Sequence, residues 1–465
     1  MSQTSIERLR DYLAQLSPQA QALLMREFER AIERGEDIAV ATFVLAQLRQ
    51  VVRGANDAAR PRTDDPARLT FCPLEPFLVE ANMPVRPGQI RRASLLPIWQ
   101  WLVRDGAPDA FKEFETALAQ MRETATQSDL DKLVRKFQLA ASEAIAKIVT
   151  PVPGDKQRAL ARVGPPDVIE DMLPVGLVLG AHEALDTING RLPGYLRVLG
   201  ESQIVSVTAS LNVPALQTPQ VLPFALSLVM QRLSAPWQVI RLAISAAASD
   251  DEIRVAATAY GVAVTMALHD LSVVVMSLRA DLKRGQFKDV AEHLKTIHDG
   301  VRGLRTELDL RNDSPWGKQL TSLRADISNA LQSEIDSVPG RVRRLLRQRA
   351  DKDISAGTRL DPSEVEETTD LIDFVAVCRN YASELAINEV TLRTFSDLQH
   401  YVEHSTEALV QSLRGVDSRA RAFRHQQVKA AIRFCDVLFG HDYASLMGRA
   451  AENALSGERK STRAG

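Results

Sequence analysis

The sequence predicts an all-α protein, made of elongated multi-helix bundles with long antiparallel helices and no significant sheet. The first supporting observation is compositional, because the chain is rich in Ala, Leu, Arg, Gln and Glu, which lose little entropy in a helix. The second is that apolar residues recur with helical spacing over long stretches. The third is that no stretch shows the sustained alternation between turns that is typical of strands. The best strand candidate, residues 201–213, is still better interpreted as a helix.

The length of the chain predicts several packed units, because 465 residues exceed what a single hydrophobic core serves. Breaks in the helical pattern suggest where these units begin and end. The predicted regions are an N-terminal helical hairpin (1–54), a proline-rich connector (55–97), a helical unit that packs on the hairpin (98–150), a central hydrophobic helical domain (167–356), a C-terminal long-helix unit (357–455) and a disordered tail (456–465).

The first two regions follow directly from their patterns. In the hairpin, Leu24, Phe28 and Ile32 recur at helical spacing, and a second apolar stripe follows after a short link, so the two helices should be antiparallel. The connector contains prolines that interrupt a continuous helix. They stand at positions 61, 66, 73, 76, 84, 87 and 97. Its apolar residues, from Phe71 to Leu78, are expected to lie extended across a helical surface.

The C-terminal unit is predicted to begin with a marked helix start. Asp361 and Pro362 have the residue types of an N-cap and a first helical position, and Glu364 has the spacing of a capping box. Beyond this start, an apolar face continues from Leu371 to Val402, which predicts one long helical element.

Several features predict a cytoplasmic protein. The N-terminus carries charges where an export signal needs an apolar core. The longest apolar window, 255–276, is interrupted by His269 and Asp270, so we interpret it as a buried core helix and expect no transmembrane segment. The three cysteines are few, odd in number and far apart, which argues against a disulfide framework and fits a reducing compartment. They are Cys72, Cys378 and Cys435.

The stretch GRVRRLLRQRADKD, residues 340–353, is the first candidate binding site. It reads as a short amphipathic helix whose apolar residues share one face. The candidate binding residues are Arg341, Arg343, Arg344, Arg347 and Arg349. A run of acidic residues follows within about twenty residues. The favoured interpretation is therefore that the arginines pair with these carboxylates within the chain. The members of this run are Asp361, Glu364, Glu366, Glu367, Asp370 and Asp373.

Three other partners for these arginines remain open. An acidic protein would be bound by charge-assisted contacts to guanidinium groups. An anionic membrane surface is a weaker alternative, because the segment offers no Trp or Phe on its apolar face. Nucleic acid is not expected, because no aromatic residues are interleaved for base stacking and because 57 basic residues are balanced by 59 acidic ones.

The pattern HYVEH, residues 400–404, is the candidate metal site. It matches the H-x-x-E-H arrangement of inverted zinc metallopeptidases, although the match covers these five residues and not a fold. His400 and His404 lie one helical turn apart and could share a zinc ion, with Glu403 polarising a bound water. The helical period places both histidines opposite the apolar stripe of Leu398 and Val402, which favours solvent exposure.

These observations together predict a non-enzymatic cytoplasmic helical interaction or scaffold protein that needs no cofactor. No other catalytic or phosphate-binding motif is found in the sequence. The expected partners are proteins, and self-association into a homo-oligomer is a further alternative. A metal-dependent hydrolase that uses His400, Glu403 and His404 is the enzymatic alternative, and peripheral binding to anionic membrane or nucleic acid through Arg341–Arg349 is the other.

Overall fold

The computed structural model describes most of the chain from residue 65 to residue 461, and eight residues before it. The described ranges are 65–80, 83–121, 126–149, 163–287, 289–350, 353–355, 357–383, 385, 387–414 and 418–461, together with residues 24, 25, 27, 28, 42, 44, 45 and 48. The predicted N-terminal hairpin and the break between the predicted regions, residues 150–166, therefore lie largely outside the described residues. Within these ranges the fold is all-α, as predicted.

The described residues form two compact units. The first lies within Met1–Glu75 and Leu95–Met172, and the second within Pro76–Ser94 and Leu173–Gly465. The helices of the first unit are α1 (Pro66–Phe71), α2 (Leu95–Trp101), α3 (Pro108–Gln120), α4 (Gln127–Val149) and the beginning of α5 (Pro166–Arg191). A π-helical turn, Leu102–Gly106, follows α2.

Aromatic side chains form the core of the first unit. Trp99 makes edge contacts with Phe71, Phe111 and Phe137 at centroid distances of 5.8, 5.5 and 5.9 Å. Phe114 stacks on Phe137 at 5.0 Å. Since aromatic residues are scarce in this chain, their concentration here explains how three short helices and α4 bury enough surface to pack.

The second unit contains the remaining helices and the single sheet of the described residues. After α5 its helices are α6 (Glu201–Leu211), α7 (Leu222–Met230), α8 (Ile240–Ala247), α9 (Glu252–Ala256), α10 (Val262–Lys283), α11 (Val290–Glu307), α12 (Pro315–Leu346), α13 (Pro362–Tyr381), α14 (Asn388–Ser412), α15 (Ser418–Phe439) and α16 (His441–Ser461). The sheet is a parallel pair of two-residue strands, β1 (Leu78–Val79) and β2 (Ile90–Arg91). The strand candidate at 201–213 is helical from Glu201 to Leu211. The α16 backbone is helical to Ser461, where the sequence predicts a tail.

Helix starts follow the signals in the sequence. The Ser314 hydroxyl accepts a hydrogen bond from the Gly317 N–H at 3.0 Å, and Pro315 opens α12. The Asp361 carboxylate caps α13 by accepting from the Ser363 N–H at 2.9 Å. These side chains satisfy N–H groups that the first helical turn leaves without a partner.

The predicted long C-terminal element is wrong in one respect, because it is two helices, α13 and α14. The chain turns between Tyr381 and Asn388. Ala382, Leu385 and Ile387 in this turn are buried, so the apolar pattern continues through the turn and hides it from sequence reasoning. The same residues anchor the turn against the core, which lets α14 pack back along α13.

The predicted connector contributes a structural part of the second unit. We call Pro76–Ser94 the strap. Phe77 packs edge-on against Phe224 of α7 at 5.1 Å, and the Ser227 hydroxyl donates to the Gly88 carbonyl at 3.1 Å. Every residue of α7 is buried, so other parts of the protein must pack against this helix on all sides. The strap covers one of these sides.

The long apolar window corresponds to α10 and the turn before it. Among the described residues, Ala259–Lys283 is the one helical stretch long and apolar enough to cross a membrane by length and composition, with a mean hydropathy of 1.7. Half of this window is buried inside the protein, and Asp270 in its middle pairs with Arg86 of the strap. These contacts support the interpretation of α10 as a core helix.

Candidate interaction surface

The arginine-rich stretch forms the end of α12 and the segment that follows it. The prediction of a separate short helix is wrong, because residues 340–346 are the last turns of the long helix α12, and the chain leaves the helix at Arg347. Val342, Leu345 and Leu346 are buried, as the amphipathic pattern predicts. The arginine side chains consequently point away from the core.

Two of the five arginines pair with the acidic run on α13. The Arg341 guanidinium lies 3.5 Å from the Glu367 carboxylate, and Arg344 pairs with Glu364. Intrachain pairing is therefore observed for these two. Glu364 is used for this pair and does not complete a capping box with Asp361. Because 64% of the Arg344 side chain is exposed, we expect each pair to contribute about 0–1 kcal/mol to stability.

The other three arginines have no ion pair with a carboxylate among the described residues, and we call them the arginine surface. Arg343 lies over the ring of Tyr401 at 5.7 Å, and Arg349 lies over the ring of Phe423 at 5.5 Å. Arg347 is exposed. Stacking on a ring orients the plane of a guanidinium but leaves its N–H donors free to bind a carboxylate.

Two residues of α15 hold this end of α12 in place. Gln427 is 1% exposed and donates from Nε2 to the carbonyls of Leu345 and Arg347, at 3.0 Å each. Arg424 is 5% exposed and donates to the Arg349 carbonyl. The last carbonyls of a helix have no intrahelical partner, so these side chains supply the missing donors. The positive charge of Arg424 also lies at the favourable, C-terminal end of the α12 dipole.

Sequence reasoning did not find Arg424 or Gln427. They stand about 80 residues beyond the carbonyls that they cap, with sequence separations of 75 to 82. A buried Arg and a buried Gln on a helix look like ordinary surface residues in a single sequence. Their neighbour His425 is partly buried, which lowers its pKa, and the positive charge of Lys429 lowers that pKa further.

Replacing Gln427 with Ala should destabilise the end of α12, which carries the arginine surface. The carbonyls of Leu345 and Arg347 would lose their shared donor, and we expect the free energy of unfolding to fall by about 2 kcal/mol. Amide exchange at residues 345–350 should become faster than in the unmodified protein. Gln411→Ala, which changes an exposed glutamine on α14, is the control and should alter neither quantity. Equal protection in both variants would show that Gln427 does not support this segment.

The structure places the predicted metal ligands on the solvent side of α14. His400, Glu403 and His404 are all exposed. Among the described residues, no group of three or more His, Cys, Asp or Glu side chains could hold a metal ion. The metal-dependent hydrolase hypothesis thus obtains no third ligand from the part of the chain that is described.

Glu403 instead influences two groups on the neighbouring helices. Burial raises the pKa of the Cys435 thiol, a hydrogen bond with Thr406 opposes the rise, and the charge of Glu403 adds to it. Burial also raises the pKa of Tyr443, with further contributions from Glu403 and Cys435. The Thr406 hydroxyl and the Cys435 thiol lie 3.4 Å apart and connect α14 to α15, and a thiol with a raised pKa is a poor nucleophile.

Comparison of the chain with known protein families, with curated proteins and with solved structures finds no match.

Proposed function

We propose that this chain is a non-enzymatic helical interaction protein that binds an acidic segment of a partner protein through the arginine surface. The observation that carries the proposal is the state of Arg343, Arg347 and Arg349. Their guanidinium groups are exposed, lack a carboxylate partner among the described residues and extend from a helix end that buried side chains hold in place. Guanidinium groups in this situation bind carboxylates with charge-assisted hydrogen bonds.

The burial of the apolar residues of this segment favours an acidic protein over a membrane surface. An interfacial helix inserts its apolar face between lipid headgroups. The apolar residues of this segment, Val342, Leu345 and Leu346, are already buried in the second unit, at 0–2% exposure. The arginines alone would remain for the lipid, which leaves only electrostatic attraction.

Nucleic acid is disfavoured as the ligand, because the aromatic rings near these arginines are already covered by guanidinium groups. Single-stranded nucleic acid is bound by stacking bases on exposed aromatic side chains. Tyr401 and Phe423 lie beneath the guanidinium groups of Arg343 and Arg349, and Phe423 is buried. The formal charge of −2 also provides no general attraction to phosphates.

The chemistry of the cysteines supports both the non-enzymatic interpretation and a reducing cytoplasm. All three are free, and Cys378 and Cys435 are buried. Burial raises the pKa of the Cys378 thiol far above its usual range, so a reactive thiolate is disfavoured there. Buried free thiols without a disulfide are typical of proteins that fold in reducing compartments.

Replacing Arg343, Arg347 and Arg349 together with Gln should weaken binding of a short Glu-rich fluorescent peptide by about tenfold. The measurement is fluorescence anisotropy, with duplex DNA and phosphatidylserine vesicles as parallel probes. The matched control is the double substitution Arg341→Gln and Arg344→Gln, which removes the same charge type at positions that are paired within the chain. We expect the control to change peptide affinity by less than about threefold.

Equal losses in the triple and the double variant would argue for a diffuse charge effect and against the arginine surface. Binding of DNA or vesicles that the triple substitution abolishes, and that falls steeply with salt, would replace the acidic protein by that ligand. Since exposed charges contribute about 0–1 kcal/mol each, unfolding of the triple variant should remain close to that of the unmodified protein.

A further inference from the structure

Four carboxylates follow one another at every third position of α13: Glu364, Glu367, Asp370 and Asp373. A step of three residues falls about 60° short of a full helical turn, so the row moves around the helix as it proceeds. The first two members pair with Arg344 and Arg341 on α12. The last two members, Asp370 and Asp373, lie on the side of α13 that faces α11.

Asp370 and Asp373 line a groove between α11 and α13. Both side chains are exposed, and neither pairs with a cation among the described residues. The groove has a volume of about 320 Å³. Its accessible apolar wall consists of Phe287, Ala291 and Val377, and the Phe287 ring packs on the buried ring of Phe374 at 5.5 Å. An apolar wall with an acidic rim matches a side chain that has an apolar stem and a cationic end.

We propose that this groove binds a basic segment of a partner protein through an arginine side chain. The aliphatic stem would lie against Phe287 and Val377, and the guanidinium would reach Asp370 and Asp373. Long cationic side chains cover apolar surface with their stems while the charge remains at the polar rim. Arginine also stacks on aromatic rings and forms paired hydrogen bonds with carboxylates, which lysine does not.

Arginine–carboxylate pairs of the same kind already occur within the chain, between α12 and α13. On the same helix and in the same row of carboxylates, Glu364 and Glu367 are paired with arginines that α12 provides. At Asp370 and Asp373, α12 no longer provides a cation, because its residue Val338, one turn before Arg341 and Val342, is buried in the core. A cation that complements the second half of the row therefore has to come from outside α12.

This groove is distinct from the arginine surface, and its proposed ligand has the opposite charge. The inference goes beyond the proposed function and does not depend on it. A chain with one surface for an acidic segment and another for a basic segment could bring two partners together. Each surface can be inactivated without changing a residue of the other.

The test uses the full chain and a short fluorescent peptide of alternating Arg and Leu, with a Lys-Leu peptide of equal length for comparison. Replacing Asp370 and Asp373 with Asn should weaken binding of the Arg peptide by about tenfold. Glu366→Gln is the matched control, because Glu366 is exposed on the same helix but does not line the groove. We expect that control, and the triple substitution of the arginine surface, to change affinity by less than about twofold.

Three results would overturn the proposal. An equal loss in Glu366→Gln would show that the helix attracts cations without a specific groove. Unchanged binding in the Asp370 and Asp373 variant, with a lowered melting temperature, would show that these carboxylates serve only to complement the N-terminal end of α11. A large gain in affinity for Lys288→Ala would identify Lys288, which follows Phe287 in the sequence and lies outside the described residues, as the occupant.

Discussion

Replacing Arg86 with Ala should lower the free energy of unfolding by about 3 kcal/mol, because it removes a buried guanidinium and leaves the half-buried Asp270 carboxylate without its arginine partner. Arg86 is 7% exposed and donates from Nε to the Asp270 carboxylate at 2.7 Å. Its Nη1 donates to the Ser227 hydroxyl at 2.8 Å and to the Pro87 carbonyl at 3.0 Å. One side chain thus joins the strap to both α7 and α10, and the substitution would leave Asp270 charged beside an apolar core.

The measurement is urea unfolding followed by far-UV circular dichroism, together with amide exchange across the strap. Arg279→Ala is the matched control, because Arg279 is on the same helix as Asp270 but pairs with Asp326 at the surface, at 3.8 Å. We expect this control to cost less than about 1 kcal/mol. The double substitution of Arg86 and Asp270 with Ala should cost less than the sum of the two single changes. A cost for Arg86→Ala as small as that of the control would contradict the role of the strap as a structural part of the second unit.

Replacing Gly88 with Ala should destabilise the protein by roughly 2–5 kcal/mol. The alanine would have to adopt a left-handed backbone conformation, and its Cβ atom would also clash with α7. Gly88 has a φ of +81°. A Cβ atom at this position would lie 2.5 Å from the Ser227 hydroxyl oxygen and even closer to the Pro223 carbonyl oxygen. The carbonyl belongs to the backbone of α7 and cannot rotate away, so the strap or the helix would have to move.

Gly285→Ala separates the two contributions. Gly285 has a φ of +68°, but a Cβ atom there would meet nothing within 4 Å. Its substitution should therefore cost only the conformational part, about 1–2 kcal/mol. Thermal and urea unfolding of both variants give the comparison. Equal costs at the two positions would mean that the close approach of the strap to α7 does not contribute to stability.

The strap shows what a single sequence does not contain. Its prolines correctly indicate that no continuous helix crosses this region, and the sequence therefore suggests a connector. The residues that make it part of the second unit are Arg86 and Asp270, which are 184 positions apart. In the sequence, Asp270 and the adjacent His269 look like an interruption of an apolar helix, because the arginine that pairs with Asp270 lies far away in the chain.

The five arginines at the end of α12 were found from the sequence, but which of them pair within the chain was not. Five arginines on one amphipathic segment predict an exposed basic face, and the acidic run predicts pairing within the chain. Which arginines pair depends on how α12 and α13 lie against each other. That packing pairs Arg341 and Arg344 and leaves Arg343, Arg347 and Arg349 without a carboxylate partner among the described residues.

The sequence by itself determined the fold class, the capped start of α13, and the buried and exposed faces of the end of α12, because these depend on residues within one or two turns of each other. Tertiary structure alone decided the turn between α13 and α14, the capping of α12 by Gln427, the clamping of the strap by Arg86 and the groove beside Asp370. Each of these results from contacts between residues far apart in the chain, where the energy of burial or pairing outweighs local preference.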